Sequence, residues 1–469
     1  MIFTKTFAGL IALLLPSLAT AQNVDLAITD VSVVDVERGT IESGRTVVVN
    51  EGTISLILAP EEPRPEASET IDGAGKFLIP GLIDMHVHLN RDSLPLFLRF
   101  GVTTVRDMGT HFAPLEADSG GQLAMRHEIA SGELEGPELV LALRILDGDI
   151  PRNPDWAMHY ASIATPEEGR LLVNQVASAG ADFVKVYTDL KPDVFAAIAD
   201  EAKRRNLYIA GHVPGEVGHI AAAEAGLRTA EHLRGIFIDI SADEDRWRDE
   251  FAAEAAKLDP SATYLFTNSK LIEMAATRDT AKETALFETL RRHDVGIVPT
   301  LVVLDDPRWL YPSAMPDPAL TDELSFIYKS IVTPRGDPRG PFDSIADGMA
   351  AHKLRMELVG RMHAAGVTVL AGTDASNPFV VPGVSMHTEL ANLVRAGMTP
   401  AEAIHAATLA NARYIDAADR IGSVTVGKEA DLVLLEANPL DDITATRQIA
   451  EVIVNGNRLA KEAKERRAE

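Results

Sequence analysis

Lys76-Phe77-Leu78-Ile79-Pro80-Gly81-Leu82-Ile83-Asp84-Met85-His86-Val87-His88-Leu89 is the stretch whose reading decides the fold. Its right half is an apolar run of strand length carrying histidines at i and i+2. A strand repeats every two residues, so His86 and His88 share one face and Met85, Val87 and Leu89 the other. Two imidazoles one strand repeat apart can grip a single metal ion, or they can be ordinary strand histidines. Pro80-Gly81 breaks the chain just before the strand, as at a crossing between domains.

Working outward to the N-terminus, Lys5 is followed by an apolar run from Phe7 to Leu15 that is too short to span a bilayer. Ala19-Thr20-Ala21 then supplies a small-x-small cleavage pattern, so residues 1–21 read as a signal peptide and Gln22 as the first mature residue. The expected location is periplasmic or secreted, with no membrane attachment after cleavage. The chain has no cysteine, which excludes disulfides and thiolate metal ligands. A formal charge of −25 argues against nucleic acid or an anionic membrane as partner, since both reward basic patches. At 46% hydrophobic residues the chain can bury a sizeable core. A homo-oligomer is compatible with the sequence, which does not specify an oligomeric state.

Short strand-like runs at 26–28, 31–36, 45–50 and 53–58 alternate with turn residues, and a similar signature returns at 422–427, 430–436 and 449–455. Between them, apolar runs alternate with Ala/Leu/Glu-rich helical segments. The candidate strands are 82–88, 103–107, 139–142, 183–187, 208–212, 229–232, 296–301 and 368–372. The expected fold is therefore α/β: a (β/α)8 TIM barrel with a small β-sandwich domain built from both chain ends. The boundaries expected are 22–78 and 415–469 for the sandwich and 79–414 for the barrel. Two connections are long. Residues 241–294 look mostly helical, and 302–350 are Pro-rich with Trp309 and Tyr311; such insertions commonly act as lids or pocket walls. Gly422 to Lys428 imitates a phosphate-binding loop, but Glu429 stands where Ser or Thr is needed and a strand-like run follows.

If the strands are right, His86, His88, Lys185, His212, His232 and Asp374 all stand at strand ends on one barrel face, where such folds place their active sites. A lysine inside a strand buried on both faces carries a charge that must be neutralised. One solution for Lys185 is a salt bridge. The other is reaction of its neutral amine with CO2, giving a carbamate whose two oxygens can bridge metals; the neighbouring histidines favour this one.

These residues resemble the amidohydrolase superfamily, in its imidazolonepropionase/Xaa-Pro dipeptidase-like branch. The run from Pro80 to His88 resembles the first-strand signature, Gly101 to Gly109 the second strand, and Ala371-Gly372-Thr373-Asp374 the eighth. Gly397 to Ala412 and Gly422 to Pro439 resemble the closing helix and the return to the sandwich. The resemblance implies two divalent metal ions. His86 and His88 would bind the more buried one with Asp374, His212 and His232 would bind the second, and a CO2-derived carbamate on Lys185 would bridge them. Nitrogen and oxygen ligands without thiolate fit zinc best, with manganese, cobalt or iron as alternatives.

The implied reaction is hydrolysis of a C–N amide bond in a small-molecule substrate of dipeptide or N-acyl amino acid type. Asp374 would be the proton acceptor and then donor, acting on metal-activated water. Tyr187, on the face of Lys185, is either a donor to the tetrahedral oxygen or a packed strand-end aromatic. His111 and His387 are weaker pocket candidates. The other seven histidines are assigned to helices and surfaces. Cyclic-amide hydrolysis and lactone or organophosphate hydrolysis are alternatives that the same metal site can support. A periplasmic metal- or solute-binding module is the non-enzyme alternative, disfavoured because binding alone needs no proton shuttle at Asp374.

Overall fold

The computed structural model describes residues 24–109, 121–148, 160–255, 267–304 and 344–459. The expected signal segment 1–21 lies outside them, as do His111 and most of the Pro-rich insertion with Trp309 and Tyr311. Among the described residues, no helix is long and apolar enough to cross a membrane.

Both chain ends meet in one eight-stranded sheet. The N-terminal part supplies β1 (Val24–Asp35), β2 (Thr40–Asn50), β3 (Thr53–Leu58), β4 (Ala67–Asp72) and β5 (Phe77–Pro80). After the central domain come β15 (Leu432–Leu435), β16 (Ile449–Val454) and β17 (Asn457–Arg458). The order is β17-β16-β15-β5-β1-β2-β3, with β4 also paired to β1. The key junction is β5, antiparallel to β15 through Leu78↔Leu434 and Ile79↔Val433, which joins residues far apart in sequence. Period-2 alternation explains why the sheet has two apolar sides. Leu78, Leu432 and Leu434 enter a core with Leu26, Ile28, Val47 and Val49. Ile79, Val433 and Leu435 face the other way and join the large core of the central domain.

In strand pairing this is one sheet, not two separate ones. β1 is long and bulged, so one of its edges pairs first with β4 and then with β5. Gly73 sits at the changeover, where an added Cβ would lie 2.6 Å from the Val31 Cβ and 2.8 Å from the Thr29 carbonyl oxygen. Only glycine fits so close an approach.

The central domain is TIM-barrel-like. β6 (Leu82–Val87), β7 (Val102–Asp107) and β8 (Glu138–Leu141) form one parallel sheet. β9 (Ile145–Gly148), β10 (Tyr160–Ile163), β11 (Phe183–Val186), β12 (Tyr208–Gly211), β13 (Leu227–Glu231) and β14 (Gly296–Val298) form another, ordered β10-β9-β11-β12-β13-β14. The Asp182 N–H to Leu141 O bond, 2.8 Å, links β8 to the entry of β11. On the other side, residues 368–375 make isolated bridges, Ile297↔Val369 and Val87↔Ala375, instead of a continuous strand. Met85 and Asp374 N–H groups complete this seam by donating to Ala371 O and His86 O. The expected strand at 368–372 is thus a bridging segment, and β9 and β10 are additions to the expected set.

Capping holds the crossover helices in register. Helix Pro166–Ala179 begins with a capping box between Thr165 and Glu168 and ends at Gly180 in the left-handed region. The insertion after β13 is helical, as expected, with helices at Glu244–Ala255, Asn268–Ala276 and Thr280–Arg292. It is pinned by buried Trp247 and by the Arg361–Glu283 ion pair at 2.9 Å.

Candidate metal centre

The strand ends bring five of the six expected ligand side chains into one linked arrangement around Asp374 and His232, and Lys185 lies buried beside it. Nε2 of His88 lies 3.2 Å from Asp374 Oδ1, and Nε2 of His86 lies 3.5 Å from the same oxygen. His232 Nε2 approaches Asp374 Oδ2 at 3.8 Å. One ligand atom each from His86, His232 and Asp374 lies within 4.8 Å of the others. His212 stands further along, its ring centroid 4.9 Å from that of His232. The tightest trio therefore crosses the pairing that the resemblance implied, by joining His86 to His232.

The outer nitrogens explain this convergence. His86 Nδ1 meets Glu231 Oε2 at 2.7 Å, and His88 Nδ1 meets the Gly109 carbonyl oxygen at 2.6 Å. His212 Nδ1 meets Thr188 Oγ1 at 2.8 Å, and His232 Nδ1 meets Thr300 Oγ1 at 2.6 Å. A carboxylate or carbonyl can only accept, so His86 and His88 carry their proton on Nδ1 when neutral and leave a lone pair on Nε2. This outward Nδ1, inward Nε2 pattern is how proteins orient metal-binding imidazoles. His86 Nε2 is buried and has no hydrogen-bond partner among the described residues. The donor set fits a divalent metal.

Charge follows geometry. Burial first, then cationic Lys185, holds His86 well below the usual imidazole range, and burial lowers His232 to about 4. Both are neutral near pH 7, as ligation requires. His88 is half-buried, which lowers it, but the hydrogen bond and charge of Asp374 win and raise it. Burial would raise Asp374, but its imidazole neighbours His232, His86 and His88 hold it well below the usual carboxylate range.

Lys185 lies on β11, fully buried, and its Nζ has no hydrogen-bond partner among the described residues. Burial lowers it to about 8, with Glu231 and Asp374 opposing. Glu231 cannot offer it a carboxylate oxygen readily. Oε1 already accepts from Arg106 (2.8 Å) and Thr229 (2.6 Å), and Oε2 faces His86. Space for the lysine comes from Gly211, at φ +144, where a Cβ would meet the Val186 carbonyl oxygen at 2.1 Å and Lys185 Cδ at 3.1 Å.

Several supporting residues escaped the sequence reading. Arg106 is wholly buried, bonding Met85 O (2.7 Å), Thr229 and Glu231. It carried the same signal as Lys185, a cation inside a buried strand, and so called for a buried carboxylate. Asp84 accepts from His86 N–H, Thr373 N–H and Thr373 Oγ1, the last at 2.6 Å. It thereby ties the strand of His86 to the segment of Asp374. Burial raises Asp84 to about 7, against the lowering effect of those bonds.

Of the weaker candidates, Tyr187 is half-buried and stacks on His212 at 4.0 Å. His387 is corrected. It lies in a buried helix, with Nδ1 on Thr446 Oγ1 at 3.0 Å and Nε2 on Phe100 O at 3.1 Å, towards the end of the barrel where β7 begins. His219, one of the histidines assigned to helices and surfaces, opens the helix His219–Glu224. It is buried, with Nδ1 at 2.6 Å from Asp239 Oδ2.

Residues 77–459 match the model of the Amidohydrolase family. Ochratoxinase from Aspergillus niger is 28% identical over 311 residues, covering 62% of this chain and 49% of its own length. The chain thus spans about half the length of that curated relative. Imidazolonepropionase from a Geobacillus species is 46% identical over 74 residues, 15% of this chain and 17% of the relative. The structure of a putative prolidase from Bifidobacterium longum superposes with TM-score 0.65 at 25% identity, covering 95% of this chain and 99% of the other. A Xaa-Pro dipeptidase with bound methionine gives 0.67 at 20% identity, covering 92% and 99%, a likeness of fold. A family match across most of the chain, landing on the strand ends that carry these histidines, shows that the protein belongs to the amidohydrolase family.

Proposed function

We propose that this protein is an exported hydrolase that uses two divalent metal ions, zinc in the first instance, to cleave a C–N amide bond of a dipeptide or N-acyl amino acid. The observation that carries the reading is the inward set of imidazole Nε2 atoms around Asp374, beside a buried lysine whose amine has no hydrogen-bond partner among the described residues. The named activities of the relatives, an ochratoxinase and a putative prolidase, agree with amide cleavage.

When bound, the metal ions would supply Lewis acidity and a water of lowered pKa. His86, His88, His212 and His232 would hold them through Nε2, with Asp374 as carboxylate ligand. The neutral Lys185 amine attacks CO2, a C–N bond forms, one proton leaves to solvent, and the resulting carbamate anion offers two oxygens. Asp374, kept ionised, accepts the proton of the attacking water and passes it to the departing nitrogen. Tyr187 donates a hydrogen bond to the carbonyl oxygen as charge develops there. Arg106 and Glu231 keep His86 from turning.

The test is hydrolysis of a panel of dipeptides and N-acyl amino acids by zinc- and bicarbonate-treated protein, before and after chelation. Asp374→Asn should lower kcat by about 10²–10⁴-fold, the range for loss of an acid–base group. Turnover that survives both chelation and the substitution would defeat the reading.

A further inference from the structure

The flank of the site beyond His212 carries a second phenol that the proposed reaction leaves without a role. Tyr160 opens β10, the strand that joins the parallel sheet outside the expected barrel set. Its ring centroid lies 5.1 Å from that of Tyr187, tilted by 39°, which sets the two phenols side by side. Tyr187 in turn lies flat on His212, 4.0 Å away with only 23° between the planes. That stacking leaves the phenol of Tyr187 little choice of orientation. His212, Tyr187 and Tyr160 thus form one continuous column of rings running out from the metal centre.

The direction of a hydrogen bond between the two hydroxyls decides what Tyr187 can do. A phenol has one proton. If Tyr187 gave its proton to Tyr160, nothing would remain for a substrate oxygen. If Tyr160 donates, Tyr187 keeps its proton for the substrate, and accepting a bond polarises its own O–H and strengthens it as a donor. Arg234, two residues past His232, adds positive potential around both phenols and favours the build-up of negative charge in front of them.

We propose that Tyr160 is a positioning residue: it donates a hydrogen bond to the Tyr187 hydroxyl and so presents the Tyr187 proton to the carbonyl oxygen of the scissile amide. This rests on the amide-hydrolase reading above. It deepens that reading by assigning the stabilisation of the tetrahedral oxygen to a relay of two phenols. The relay engages an oxygen that gains charge only as the bond breaks, so its effect falls on kcat and on transition-state mimics, not on ground-state binding.

The experiment compares wild type, Tyr160→Phe, Tyr187→Phe and the double variant at matched metal content. Each is assayed for kcat and KM, and for binding of a phosphonate that replaces the scissile amide by a tetrahedral anion. Tyr160→Phe should lower kcat and phosphonate affinity by about the same factor, roughly tenfold, with KM changed less than about twofold. Placed in the Tyr187→Phe background, it should have no further effect, because the relay is already broken. Wild-type kcat and phosphonate affinity in Tyr160→Phe would overturn the relay, and so would a loss that persists undiminished without the Tyr187 hydroxyl. Absence of amide hydrolysis by metal-loaded wild type is a separate result that would overturn the underlying function and the relay with it.

Discussion

His86 Nδ1 and Glu231 Oε2 lie 2.7 Å apart, both side chains almost wholly excluded from water, and the other Glu231 oxygen is held by Arg106 at 2.8 Å. The pair spans β6 and β13, so the orientation of a candidate metal-binding imidazole depends on a carboxylate from across the barrel. Among the described residues, Glu231 is the carboxylate paired with Arg106, which also bonds Met85 O and Thr229 Oγ1.

Replacing Glu231 with Gln therefore removes an anchor and strands a buried guanidinium. Breaking such a pair costs about 3–5 kcal/mol, and losing an outer-shell partner lowers metal affinity by about 10–100-fold. Denaturant unfolding of the metal-free variant and zinc titration of the folded one check the two parts. A variant with unchanged stability and zinc affinity would show that the Arg106–Glu231–His86 chain is not needed.

The pH dependence of activation follows from Lys185. Burial lowers its folded-state value from 10.5 to about 8, so the amine sheds its proton roughly 2.5 pH units earlier than an exposed lysine. At a fixed concentration of dissolved CO2, activation of metal-free protein should accelerate as pH rises through about 8 and then level off. In the metal-free protein the sign for stability is fixed too. Between 8 and 10.5 the unfolded chain holds this proton and the folded one does not, so this group's contribution rises with pH across that window. Activation that is flat from pH 6.5 to 9.5 would contradict the reactive amine.

Much of this site was readable from local pattern. Period 2 put His86 and His88 on one face, and a lysine within the apolar run Phe183–Val186 marked itself as special. What was not readable depends on the tertiary fold. Glu231 and Asp84 look like unremarkable acids until β13 and β6 come within bonding distance of Arg106, His86 and Thr373. His387 shows the reverse case: a weak pocket candidate can lie inside a buried helix, satisfied by Phe100 and Thr446. The eighth barrel element was expected as a strand at 368–372, yet its pairing is reduced to bridges at Val369 and Ala375.

Lys185→Ala tests the bridging anion. Removing the side chain should abolish most turnover, and acetate or propionate should restore part of it by filling the space with a surrogate carboxylate. The comparison is made at matched metal content and ionic strength. Wild-type activity in the variant would eliminate the carbamate role.

Export predicts a mature N-terminus at Gln22, following Ala19-Thr20-Ala21. N-terminal sequencing of protein recovered from the periplasm or medium should begin there. An intact Met1 in the soluble fraction would count against cleavage.

The central claim, that the strand-end histidines, Asp374 and Lys185 hold a hydrolytic metal pair, is tested most directly by the metal content of the protein. After reconstitution with zinc and bicarbonate and removal of free ion, elemental analysis should find about two metal ions per chain, with activity lost and regained in step with them. Protein that retains no metal under these conditions, or whose activity is indifferent to it, would contradict the account.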